Sequence, residues 1–178
     1  MQRSLTVLSI SFLILTATIA RSQQSFETRP SPLAIASMQF KDAYVKITYC
    51  QPQKHGREIF GKLVPYNEVW RTGANEATEI TLTKDVLVNN QVLKAGTYSL
   101  FTIPQTDKWS IIINADLGLW GSYNYNQKHD IMRFEVPVQS NTVIFEAFTL
   151  SFDQKNDLAD LLIMWDKLKL SIPFKFIN

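Results

Sequence analysis

Two arginines, a tryptophan, an asparagine and three acids crowd one stretch of this sequence: Arg57, Glu58, Glu68, Trp70, Arg71, Asn75 and Glu76 fall within twenty residues of one another. Arginine carries a planar charged fork whose geometry suits carboxylate and phosphate groups. Set beside Trp70 and Asn75, such forks could hold a small polar ligand, or they could pair with the neighbouring acids and pin a loop to the fold. A second segment, Trp120-Gly121-Ser122-Tyr123-Asn124-Tyr125-Asn126, interleaves flat rings with amides. That mixture suits a saccharide, whose faces stack on rings and whose rim hydroxyls meet amides. In the structural alternative, Trp120 and Tyr123 plug the end of the fold and the asparagines shape turns. The ligand-binding set read from these patterns is Arg57, Trp70, Arg71, Asn75, Glu76, Trp120 and Tyr123.

Catalytic chemistry has weaker candidates. Glu76 with Glu68, or with Asp130, could serve as acid and base on a glycosidic bond if the carboxyl groups lie about 5 to 9.5 Å apart. The chain has no Gly-x-Ser-x-Gly elbow, and Ser99 and Ser122 have no evident histidine beside them. Cys50 is the sole cysteine, so no disulfide forms within the chain, and no adjacent base marks it as a nucleophile. The two histidines, His55 and His129, are far apart in sequence and neither has a second histidine at i+2 or i+4. Neither a metal centre nor a cofactor is expected on that spacing. The expectation is a non-enzymatic module for a small polar ligand, a saccharide among the candidates. The alternatives are a carboxylate-based hydrolase and an envelope assembly module presenting its edge strands to a protein partner.

The segments Gly56-Arg57-Glu58-Ile59-Phe60-Gly61, Val69-Trp70-Arg71-Thr72-Gly73-Ala74-Asn75-Glu76-Ala77-Thr78 and Ala95-Gly96-Thr97-Tyr98-Ser99-Leu100 occur in that order, followed by Trp120-Gly121-x-Tyr123-x-Tyr125. In order and content they resemble a bacterial family known as domain of unknown function 2911. The resemblance runs from about Ser31 to the C-terminus. It implies a β fold and export from the cytoplasm, and it implies no particular reaction.

The elements that must position these residues are strands. In Tyr44 to Tyr49, Val45, Ile47 and Tyr49 fall on one face and Lys46 and Thr48 on the other, the mark of a half-buried strand. Ala77 to Thr83 repeats the device with Ile80 and Leu82 inward, and Val86-Leu87-Val88 meets Val92-Leu93 across Asn89-Asn90-Gln91 as a hairpin. Further strands are predicted over Thr97 to Ile103, Trp109 to Ile113, Ile131 to Val138 and Val143 to Phe152. Leu158 to Phe176 is read as strand, since β-branched and aromatic flanks outweigh the helical pattern that Asp157 to Asp166 shows alone. The fold class predicted is all-β, an antiparallel sandwich of jelly-roll-like type, interrupted by one long polar loop over about 51–76. Connections of that length in a compact domain tend to carry function.

The N-terminus reads as an export signal. Arg3 precedes an apolar run of ~15 residues from Leu5 to Ile19, short of the roughly 20 needed to span a bilayer, and Ala20-Arg21-Ser22 has the small residues of a cleavage site. Residues 1–22 are therefore expected to be removed, 23–33 to form an extended lead-in and 34–178 to form a single sandwich domain, periplasmic or extracellular, with no membrane span after cleavage. Of eighteen basic and sixteen acidic side chains, loss of Arg3 and Arg21 leaves sixteen of each. A neutral chain without a basic stripe has no electrostatic hold on a phosphate backbone, which argues against a nucleic-acid partner.

Overall fold

The alternation of branched and aromatic residues with polar ones is realised as ten strands in a computed structural model that describes residues 28–177. The expected signal segment, its cleavage point after Ser22 and the first part of the lead-in lie outside the described residues. In chain order the strands are β1 (Leu33–Phe40), β2 (Ala43–Cys50), β3 (Thr78–Leu82), β4 (Val86–Val88), β5 (Gln91–Leu93), β6 (Gly96–Pro104), β7 (Lys108–Asn114), β8 (Asp130–Pro137), β9 (Gln139–Lys155) and β10 (Leu158–Phe176). They build a six-stranded sheet in the order β1-β2-β3-β6-β7-β8 and a four-stranded sheet in the order β5-β4-β10-β9, every pairing antiparallel. The all-β sandwich expected from the period-two pattern is thus the observed architecture.

Strand phase follows side-chain chemistry closely. Val45, Ile47 and Tyr49 of β2 are buried while Lys46 and Thr48 are half-buried on the other face. The hairpin between β4 and β5 closes in two residues, with Asn89 and Asn90 at φ 47° and 63°. Asparagine tolerates this left-handed geometry better than most side chains, so the turn matches the twist of its strands. In β10 the inward set changes phase. Ala159, Leu161, Ile163 and Trp165 face the core first, then Leu170, Ile172, Phe174 and Phe176, the break falling at Asp166, where φ is 53° and the register with β9 shifts. One residue inserted by such a bulge moves every later side chain to the opposite face.

The two sheets enclose a common core rich in aromatic rings. Phe60, Trp70, Trp109, Phe148 and Trp165 meet with centroids 5.0–6.5 Å apart, mostly edge to face, while Trp70 and Trp165 stack at 6.1 Å and 14°. Truncating one such ring to alanine typically costs about 3–5 kcal/mol, so this cluster is a principal anchor of the sandwich. Two of its members, Phe60 and Trp70, come from the long interruption between β2 and β3. A smaller cluster of Ala77, Phe101 and Ile112, packed against Val69, Leu119 and Tyr125, forms separately from this core.

Candidate functional site

Between β2 and β3 the chain runs from Gln51 to Ala77 without a regular element, yet backbone bonds fix it to both sheets. Gln53 bridges to Ala147 of β9, with Lys54 N–H donating to Glu146 O at 2.7 Å and Phe148 N–H to Pro52 O at 2.9 Å. Trp70 bridges to Thr102 of β6 through reciprocal bonds of 2.7 and 2.9 Å, and Glu76 bridges to Trp120. The segment is less polar than its composition suggests, since Ile59, Val64 and Trp70 are buried in the core. Apolar side chains that alternate with nothing regular still find the core when their backbone is tied down at intervals.

After Trp70 the chain leaves the line of β3 and returns at Thr78, whose N–H donates to Arg71 O at 3.1 Å. The excursion is held from inside. Thr78 Oγ1 donates to Thr72 O at 2.7 Å, Thr72 Oγ1 to Thr102 Oγ1 at 3.1 Å, and Trp70 Nε1 to Gly73 O at 3.1 Å. Thr72 is fully buried at φ 55°, and Asn75 lies at φ 56°. A β-branched residue in this region is strained by about 1–3 kcal/mol, which the surrounding bonds must hold in place. Gly73 serves a different need, because a Cβ there would fall 2.9 Å from the Cys50 carbonyl oxygen. The glycine lets the excursion press against the end of β2.

Beneath and beside this excursion opens a cleft of about 390 Å³. Arg57, Glu68, Trp70, Arg71 and Asn75, all singled out in the sequence, line it together. Its apolar wall comes from Pro52, Leu63, Val64, Pro65 and Val69, and Trp165 of β10 contributes to its lining. Ser31 reaches it from the lead-in, where Gln51 N–H donates to Pro32 O at 2.8 Å and Asn75 Nδ2 to Ser31 O at 3.4 Å. The last residues of the lead-in are thus part of the site.

The arginines differ in their commitments. Arg57 donates Nε to Lys54 O at 3.0 Å and Nη2 to Gln53 O, both backbone carbonyls, and has no carboxylate partner among the described residues. The half-buried Arg71 donates no hydrogen bond and makes no ion pair among the described residues, and its Nε is buried without an acceptor. The internal ion-pair network weighed for this loop therefore does not form around Arg57 and Arg71. The acids are engaged elsewhere or point to solvent: Glu58 and Glu68 are exposed, and Lys54 takes Asp166 at 3.0 Å.

Glu76 departs from the expected set. Its carboxylate accepts both bonds from Arg29 Nη1, at 2.8 and 2.9 Å, and one from the Cys50 thiol at 3.3 Å, and it lines a separate hollow of about 250 Å³ with Cys50, Leu33 and Leu119. A hydrogen bond from its own backbone amide, followed by the bond from Arg29, lowers its pKa below the usual carboxylate value. A general acid needs the opposite shift. Glu68 lines the first cleft and Glu76 the second, so the two carboxylates do not share one hollow. Asp130, the other partner considered, is taken up by Tyr125, Arg133 and Asn114.

Trp120 and Tyr123 are not walls of the cleft. They are 57% and 82% exposed on the neighbouring loop, which reaches the cleft only through Ser122 and is tied to the excursion by Gly121 N–H donating to Asn75 O at 2.9 Å. His129 bonds Asp116 through Nδ1 at 2.8 Å. No group of three or more His, Cys, Asp or Glu among the described residues is placed to hold a metal ion. Sequence reasoning missed Ser31, Ser122 and Trp165 as cleft residues and Arg29 as the partner of Glu76. Arg29 and Ser31 sit in an irregular stretch and Trp165 in a strand, so no local pattern marks them. Their presence follows from topology alone.

The family model described as "Protein of unknown function (DUF2911)" matches residues 31–174, a span holding every residue of the cleft. No curated protein and no solved structure matches the chain. With the match covering most of its length, from the cleft serine to near the end of the core strand β10, the chain belongs to the DUF2911 family.

Proposed function

We propose that this protein is a non-catalytic binding module, exported from the cytoplasm, that takes a small polar ligand in the cleft beside Arg71. The observation that carries this reading is the state of the Arg71 side chain. It is half-buried at the wall of a concave site that sets polar groups beside an apolar wall, and it makes no ion pair or hydrogen bond among the described residues. Desolvated charges in folded proteins are normally paired, and a group left without a partner in a cleft is a functional candidate. The strained backbone of Thr72, next in sequence, supports the same reading, because strain held in place by surrounding bonds clusters at ligand clamps. A saccharide remains a fitting class, since Trp120 and Tyr123 present exposed rings on the loop that reaches the cleft at Ser122.

The test is thermal denaturation of the mature protein against a panel of neutral sugars, sugar acids, amino acids and organic acids. A ligand present at 100 times its Kd stabilises by about 2.7 kcal/mol, or roughly 5–10 °C for a domain of this size. At least one class is expected to raise Tm in this way, and Arg71→Ala is expected to abolish the rise. A panel in which nothing raises Tm, or in which Arg71→Ala responds like the parent, contradicts the proposal.

A further inference from the structure

The charges of the cleft narrow the ligand class. We infer that the cleft selects a monocarboxylate, seated against Arg71 with its carbon skeleton on the apolar wall; this rests on the ligand-binding reading above. Three charged side chains line the cleft, Arg57, Arg71 and Glu68, and their sum is a single positive charge. A ligand carrying one negative charge balances that sum. A doubly charged phosphate overshoots it and adds repulsion from Glu68, whereas a neutral sugar leaves the excess positive charge of the cleft unbalanced.

The hydrogen-bonding inventory agrees with the charge. Arg57 uses Nε and Nη2 on the carbonyls of Lys54 and Gln53, which fixes its charge at the rim and leaves it a reduced fork. Arg71 commits neither Nη1 nor Nη2 to the described residues, so the planar, two-pronged recognition that guanidinium gives a carboxylate is available through that pair. Among the described residues no acid forms an ion pair with it, although Glu68 lines the same cleft. Glu76 is held by Arg29, Asp166 by Lys54, and Glu146 accepts His55 N–H at 2.6 Å. Against this polar corner stand Leu63, Pro65 and Val69, a surface for C–H groups and not for a second charge. An acid with a compact hydrocarbon or sugar body matches both halves.

The experiment follows the Nε–Hε resonance of Arg71 in the full mature chain labelled with nitrogen-15, assigned by its disappearance in Arg71→Lys. Four probes are titrated: acetate, glucuronate, glucose and glucose 6-phosphate. The last three share one ring and differ in charge at a single carbon. The inference predicts saturable movement with acetate or glucuronate, at least tenfold weaker response to glucose 6-phosphate, none to glucose, and weakening in high salt. Arg71→Lys keeps the charge without the fork and is expected to raise the Kd for the binding acid at least tenfold, its backbone spectrum reporting that it remains folded. Equal movement by glucose and glucuronate, tighter binding of the phosphate, or no movement with either carboxylate overturns the inference. Should a neutral sugar bind while both acids fail, the binding-module reading survives and only the acid class falls. Silence from these probes and from the whole thermal panel removes both.

Discussion

Arg133 and Arg71 solve the same physical problem in opposite ways. Arg133 donates Nη2 to Tyr125 Oη at 2.6 Å and to Asp130 Oδ2 at 2.8 Å, while Tyr125 and Asn114 Nδ2 donate to the same carboxylate at 2.9 Å. Charge, counter-charge and remaining lone pairs are all met within the chain, and the result fastens the 115–129 connection to β7 and β8. Arg71 stands at the end of an excursion equally well fastened, by Thr72, Thr78 and Trp70, but the guanidinium takes no part in the fastening. The difference separates an arginine that holds a loop from one that a loop holds out. The two loops are tied to each other, at Glu76 with Trp120 and at Asn75 with Gly121, and on the proposed reading one serves structure and the other recognition.

The contrast can be sharpened first at Arg133. The Asp130 side chain is only 11% exposed, so removing its partner leaves a largely desolvated carboxylate short of counter-charge. Losing one member of a fully buried pair costs 3–5 kcal/mol; with Arg133 itself 35% exposed the expected loss for Arg133→Gln is about 2 kcal/mol, read from urea unfolding. A loss under about 0.5 kcal/mol would mean that the network is ornamental and that its contrast with Arg71 carries no information.

A smaller effect is expected from pH. Burial, reinforced by the adjoining Asp130 carboxylate, pushes the Tyr125 phenol up from 10.0 to about 12. The folded state therefore keeps the proton that the unfolded state gives up near pH 10. The stabilisation from this group is fully present below pH 10 and is lost as pH rises from about 10 to about 12. Phenolate absorbance of the folded protein should show a late-titrating tyrosine, besides the buried Tyr49, that is missing in Tyr125→Phe, and the stability of that variant should fall less over the same interval. A Tyr125 that titrates with the exposed tyrosines would break the description of a closed network.

Much of the scaffold was legible because strand chemistry is local. The alternation of Val45, Ile47 and Tyr49, the Asn89-Asn90 turn and the stop at Pro104 each act within a few residues. Arg57, Trp70, Arg71 and Asn75 were legible as a group because residue type and the lack of alternation coincide there. The pairing of Glu76 was not legible because its partner Arg29 lies 47 residues away in an irregular stretch, and no period reports such a pair. The Thr72-Gly73 dipeptide misleads in a similar way. Glycine ordinarily takes the positive dihedral, but Thr72 takes it here because its hydroxyl and carbonyl are both bonded inside, while Gly73 is chosen for its closeness to Cys50. The phase change in β10 also escapes any sequence period, since a bulge inserts its extra residue without a compositional signature at Asp166.

The most direct measurement is equilibrium unfolding of Arg71→Gln in the absence of ligand. An arginine with no partner among the described residues removes no bond seen there when it is replaced, so the variant should match the parent within about 0.5 kcal/mol or exceed it slightly through loss of the orphaned Nε. A drop of about 2 kcal/mol or more, the size expected at Arg133, would show that Arg71 holds the fold and would contradict its assignment to a ligand.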